Sequence, residues 1–227
     1  MILIVVLTSK LFSSNMKKIL ISLRSFFSFG DLAQSSEPTD PIELHDYLYL
    51  RASALVKPHL ILHNIPTQNT NNNKVKKDLE TAISLFERVL RMNDQNWAAA
   101  WQAGKAAQSL DDQELAYRFF KKSFGVMKEN PDVARELMLT CLDTRRADEA
   151  VEIAEHGVRL AEGDAGLKAN LALALLCAGK LSGAETAIDA AIQQAPQDEI
   201  SLTLKRLIVD IKRGERKLPQ TPADLQI

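Results

Sequence analysis

Four alanines stand at equal intervals along the chain: Ala82, Ala116, Ala150 and Ala184 are each 34 residues apart. Four residues after each comes Phe86, Phe120, Ala154 or Ile188, and seven after each Val89, Ser123, Gly157 or Ala191, which is the spacing of one helical face. Twelve residues before the later three alanines stand Gly104, Met138 and Ala172, preceded by Ala103, Leu137 and Leu171, marking a second helix in each period. Two helices approach to about 8–10 Å only where one of them presents small side chains. That requirement explains why Gly104, Ala116, Ala150, Ala172, Ala184 and Ala191 fall where they do. A unit of this length cannot bury its apolar face alone, so successive units must stack.

The composition supports a helical stack. No Pro lies between Pro66 and Pro131 or between Pro131 and Pro196, so long segments are free of the residue that breaks helices. Of the 227 residues 46% are hydrophobic and 25% charged, the profile of a globular protein with an affordable core. The 28 Lys and Arg nearly balance 29 Asp and Glu, which gives no electrostatic reason to expect a nucleic acid partner. We therefore expect an all-α fold with helices over 41–56, 76–91, 97–109, 113–128, 131–143, 147–161, 165–178, 182–194 and 198–213. Asp40, the pair Asp111-Asp112 before Leu115, Asn130 and Asp164 mark the expected amino-terminal helix ends, Ser182-Gly183-Ala184-Glu185 a capping box, and Gly179 and Gly214 the stops.

Outside the repeats the chain divides into a leader over 1–38, a polar loop over 64–74 within the first helix pair, and a loose tail over 214–227. Residues 1–30 contain Lys10, Lys17, Lys18 and Arg24 and no acidic residue. The apolar run from Met1 to Leu7 is far shorter than the roughly 20 residues of a membrane span, and Arg24 breaks the second apolar run. The leader is read as frayed or as a basic amphipathic helix over 16–29 lying on an anionic membrane surface. A cytoplasmic chain, with that route to a membrane surface, is expected rather than a secreted one, because no small-residue cleavage site follows the apolar run.

The spacing and residue types resemble the tetratricopeptide repeat, a helix-turn-helix module of this period. The fourth unit carries the signature positions in order, with Leu171-Ala172, Leu175, Gly179, Ala184, Ile188, Ala191 and Pro196. The second unit offers Ala103-Gly104, Ala116, Phe120 and Ser123, with its proline late at Pro131, which suggests that its second helix runs a turn longer. The third departs most, having Met138 in place of Gly or Ala and Ala154 in place of an aromatic residue. The resemblance covers about 76–213. It implies a right-handed superhelical solenoid of about four helix pairs with a closing helix, and a concave groove lined by the first helix of each pair.

Signals for catalysis are weak. The nine glycines form neither GxGxxG nor GxxxxGK, so no phosphate loop or nucleotide cofactor is expected. His59 and His63 stand four apart, but no Glu follows as a general base, and no metal is expected there. Cys141 and Cys177 lie inside apolar helices, where a thiol acts as a small hydrophobe; a redox pair is the alternative. The expected role is non-catalytic, without cofactor: a scaffold or adaptor that binds a segment of another protein. The rivals are a membrane-tied assembly factor and a small metal or redox protein.

Helical-wheel spacing nominates the groove. Trp101, Lys105 and Gln108 lie beside the alanine stripe of their helix, and Arg135, Leu139 and Leu142 point away from the core stripe of the next. In the helix over 165–178, Leu167, Leu171 and Leu175 form one stripe and Leu173 and Leu176 another, with Asn170 between them, so something must cover the second stripe. Curvature of the array or the segment over 41–62 could do so within the monomer, a partner segment could fill the groove, or a second copy could pack there. In the partner reading Trp101 is an aromatic anchor, while Lys105 and Arg135 receive a carboxylate. Chaperone-binding members of the family hold a terminal carboxylate with Lys and Asn at fixed positions. The matching positions here carry Trp101 and Lys105, Arg135 and Leu139, and Ala169 and Leu173, so that clamp is not reproduced.

Overall fold

The computed structural model describes residues 36–59 and 72–225. Among them are nine α-helices and no strand: α1 (Pro41–Val56), α2 (Asn73–Met92), α3 (Trp97–Ser109), α4 (Gln113–Val126), α5 (Pro131–Asp143), α6 (Ala147–Leu160), α7 (Ala165–Cys177), α8 (Leu181–Gln194) and α9 (Glu199–Lys212). The proposed leader helix, His63 and most of the polar loop lie outside the described residues. Each helix packs on the next, α1 with α2, α3 with α4, α5 with α6 and α7 with α8, while α9 closes the end against α8 and α7. Contacts of α1 with α3, α5 with α7 and α7 with α9 gather the first helices into one layer.

The small residues sit at the crossings. Ala82, Ala116, Ala150 and Ala184 have no exposed surface, and each lies in its unit's core. A Cβ added at Gly104 would stand 2.7–2.9 Å from three ring carbons of Phe120, so the aromatic ring lies flush on the bare backbone of α3. The departures in the third unit are complementary in size. Where the second unit pairs Gly104 with Phe120, the third has Met138 and Ala154, both buried in the same core, so the bulk moves from the second helix to the first. The fourth unit returns to a small first member and a large second, Ala172 and Ile188, both fully buried.

The turns inside each pair repeat as strictly as the alanines. Asp111, Arg145 and Gly179 are spaced by 34 residues, and all three have positive φ, at 61°, 59° and 74°. After each, the next N–H reaches back to the preceding helix: Asp112 to the Ala107 carbonyl (3.0 Å), Arg146 to Cys141 (2.7 Å) and Lys180 to Leu175 (2.8 Å). These are the bonds of a Schellman ending. Gly179 and Gly214 are stops as expected, with Gly214 also at φ 74°. The residue that completes the ending is also the amino-terminal cap of the following helix. Asp112 performs both tasks, its carboxylate accepting from the Leu115 N–H at 3.0 Å. Arg146 and Lys180 have no side-chain cap bond, and α8 begins at Leu181 rather than behind Ser182, so the expected capping box does not form.

The longer second helix expected before Pro131 does not form: α4 ends at Val126, the same place in the period as α6 at Leu160 and α8 at Gln194, and Pro131 opens α5. Asn130 precedes a proline, which disfavours helical backbone, and it adopts φ −103°, ψ 112° to cap α5 through the Asp132 and Val133 N–H groups. The preceding helix has already ended four residues earlier, at Val126.

The closing helix buries Ser201, Leu204, Leu207, Ile208 and Ile211, and its other residues are partly or fully exposed, with Lys205 bonding Glu185 and Asp189. The segment after it, expected as a loose tail, is packed. Pro219 is buried, Leu225 is only 3% exposed, and a short 3-10 turn over Pro222–Leu225 lies against α5.

Gly104→Ala removes about 1 kcal/mol of helix-propensity penalty yet forces a methyl into the Phe120 ring. The net outcome expected is a destabilisation of about 1–3 kcal/mol in urea unfolding. Ala154→Phe alone is expected to overpack by a similar amount, and Met138→Gly in the same chain to recover much of that loss, a coupling visible in a double-mutant cycle.

Candidate functional site

The amino-terminal part of the first-helix face is closed by polar bonds between neighbouring helices. Gln102 of α3 donates to the Tyr49 hydroxyl of α1 at 2.8 Å, and burial pushes the Tyr49 phenol up from its ordinary pKa. One turn on, Lys105 is 1% exposed, and its ammonium donates to both Glu136 oxygens of α5 at 3.2 and 3.3 Å. The same ammonium stands 5.9 Å from the centroid of the Trp101 ring. Gln108 donates to the buried Thr140 hydroxyl at 3.4 Å, while its Oε1 lacks a hydrogen-bond partner among the described residues.

This arrangement changes the expected roles of both cations. Lys105 is sealed in an internal ion pair and offers no free charge to a partner. Arg135 is half-buried and doubly engaged, its guanidinium donating to Asp132 at 2.7 Å and to Asp164 at 2.9 Å. The other Asp164 oxygen caps α7 through the Leu167 N–H at 3.0 Å. Arg135 therefore ties one repeat to the start of the next, and neither cation is the open carboxylate receptor expected from the helical wheel.

The apolar residues divide in the same way. Leu142 and Leu176 have no exposed surface, so they belong to the core and not to an open groove. Trp101, Leu139, Asn170 and Leu173 are half-buried, and Trp101, Leu139 and Leu173 pack on the core cluster from outside. The segment over 41–62 was one expected cover for the apolar stripe. At the carboxyl end of the face the cover comes instead from the end of the chain.

There Leu225 joins the apolar cluster that contains Ala169, Leu176, Leu204 and Leu207, with Leu173 packed against it. Leu218 passes the turn at Gly179, its Cδ2 3.4 Å from where a Cβ would stand. Asp224 accepts from the Gln220 and Thr221 N–H groups, both at 2.9 Å, and the Arg216 guanidinium reaches the Leu225 carbonyl at 3.5 Å. The two backbone bonds hold the Asp224 carboxyl below its ordinary range, Thr221 first and then Gln220, with a smaller contribution from the charge of Arg145. Sequence reasoning missed this contact. Its only trace is the pair of leucines, Leu218 and Leu225, in an otherwise polar stretch.

Neither cysteine has the surroundings of a reactive thiol. Cys141 and Cys177 are free and buried, and desolvation pushes both pKa values up to about 12. No group of three or more His, Cys, Asp or Glu side chains suited to a metal ion occurs among the described residues. No helix among them is long and apolar enough to cross a membrane.

Breaking the buried pair from one side leaves a charge without its counterion. Glu136→Gln should cost about 3 kcal/mol in equilibrium unfolding, whereas Lys105→Met with Glu136→Leu should stay close to the wild type. At pH 8 both thiols should resist a disulfide reagent in the native chain and react fully once urea has unfolded it. Rapid labelling of the native protein would contradict the burial described.

No family model and no curated protein matches the sequence. Solved structures do. A crystal structure of MamA aligns with a TM-score of 0.56 at 17% identity, covering 66% of this chain and 87% of that one. YrrB, described as a TPR protein with an unusual peptide-binding site, aligns at 0.58 and 17% identity over 82% of this chain and 84% of its own. MamA from Desulfovibrio magneticus RS-1 aligns at 0.58 and 16% identity over 80% and 90%. With the 34-residue period, the paired helices and these neighbours together, the chain has the tetratricopeptide-repeat fold.

Proposed function

We propose that this chain is a non-catalytic scaffold that holds a segment of another protein against its first-helix face. The observation that carries the reading is the row of half-buried Trp101, Leu139 and Leu173 on α3, α5 and α7. These are large apolar side chains on the first helices of three successive pairs, on a face where Lys105 and Arg135 are already neutralised within the chain. Such a surface gains from apolar contact and gives no advantage to an isolated charge. Trp101 is the natural anchor, since aromatic residues dominate the energetics of interaction surfaces. Asn170, half-buried on the same face, supplies a polar contact to the main chain of an extended or helical segment, while the unpaired Gln108 Oε1 is buried beneath the surface. The peptide-binding site recorded for YrrB supports the same use of the fold.

Lys105 and Leu142 act beneath this surface as its floor. They set the position of the groove and do not touch the bound segment in this reading.

The combined variant Trp101→Ala, Leu173→Asp should lower capture of the native partner by about tenfold or more while circular dichroism stays that of the wild type. Undiminished capture by folded variant protein would remove the reading.

A further inference from the structure

We propose that the carboxyl-terminal segment Arg216–Leu225 is an intramolecular occupant of the groove, and that the partner segment which replaces it has the same chemistry, an acidic residue followed directly by a leucine on a tight turn. The inference deepens the groove reading above and rests on it.

The segment has the properties of a bound ligand rather than of a continuing core element. It follows a helix stop at Gly214, where φ is +74°, and its first residues, from Glu215 to Leu218, are exposed. Only after that solvated stretch does it return to the stack, burying Pro219 and Leu225. Leu225 enters the cluster of Leu176, against which the half-buried Leu173 also packs. The turn that presents Leu225 touches α5, a first helix, and the charge of Arg145, in the turn after α5, favours the Asp224 carboxylate. The turn is prepared locally, because Asp224 accepts from the two N–H groups at Gln220 and Thr221 and Pro222 fixes the backbone between. One apolar side chain is thus presented on a short folded unit whose turn the Asp224 carboxylate holds together, joined to α9 by a largely exposed stretch.

A tethered occupant competes with an external one through its effective concentration, about 1 mM for a short flexible connection. Release of the segment should therefore tighten binding of an equivalent free segment, with no change in the groove itself.

The test uses the full chain and a fluorescent synthetic peptide of residues 216–227. Leu225→Asp in the protein, and independently Asp224→Ala, should each raise the affinity for the peptide by about tenfold over the wild type. A peptide carrying Leu225→Asp should bind neither protein, and Leu173→Asp added to the released protein should abolish binding. Equal affinity of wild-type and released proteins, or no binding by the released ones, would overturn the proposal. The groove reading is judged separately: if partner capture still depends on Trp101 and Leu173 while the peptide fails to bind, the occupant falls and the groove stands.

Discussion

The fold depends on how closely two helices can approach at each crossing. That distance is set by the sum of the side chains that meet there. Gly104 under the Phe120 ring is the tightest case, and Met138 with Ala154 shows the same volume shared the other way round. Because both solutions fill the same gap, neighbouring units keep a common spacing although their sequences differ. The common spacing is what brings α1, α3, α5, α7 and α9 into one layer, and without that layer no shared surface exists.

Once the layer is formed, polar groups of one unit bond to those of the next. The Lys105–Glu136 pair and the bond from Gln108 to Thr140 both run from α3 to α5, and Arg135 links α5 to the cap of α7. These bonds lie across unit boundaries, so they fix register between repeats as well as satisfying buried atoms. Their energetic value lies mainly in what would be lost by breaking one side, since an unpaired buried charge is expensive and a matched pair is close to neutral. The second helices carry a more exposed counterpart, with Glu114 bonded to Arg146 and Asp148 to Lys180. Exposed pairs of this type contribute little to stability.

Much of this was legible from residue spacing. The alanine period located the helix pairs over 76–213, and Asn130, Asp164 and the pair Asp111-Asp112 marked true helix starts, with Asp112 the cap of its helix. What escaped was decided by partners distant in sequence. A helical wheel places Lys105 beside the core stripe and cannot see Glu136, 31 residues away, which draws it inward. Leu142 and Leu176 were legible as apolar and in need of cover, but the wheel does not say from where the cover comes. The left-handed turns at Asp111 and Arg145 were hidden for another reason: neither is Gly, so only the period shared with Gly179 identifies them. The packed end of the chain escaped because two leucines, Leu218 and Leu225, in a polar stretch are too small a signal to separate from an unstructured tail.

The central claim is that the first-helix face is a working surface whose carboxyl end the chain itself fills with Leu225. Methyl-labelled protein, observed by nuclear magnetic resonance, tests this without mutation. The account predicts nuclear Overhauser contacts from the Leu225 methyl groups to those of the cluster around Leu176 and Leu204. Random-coil shifts for Leu225, with no such contacts, would contradict it.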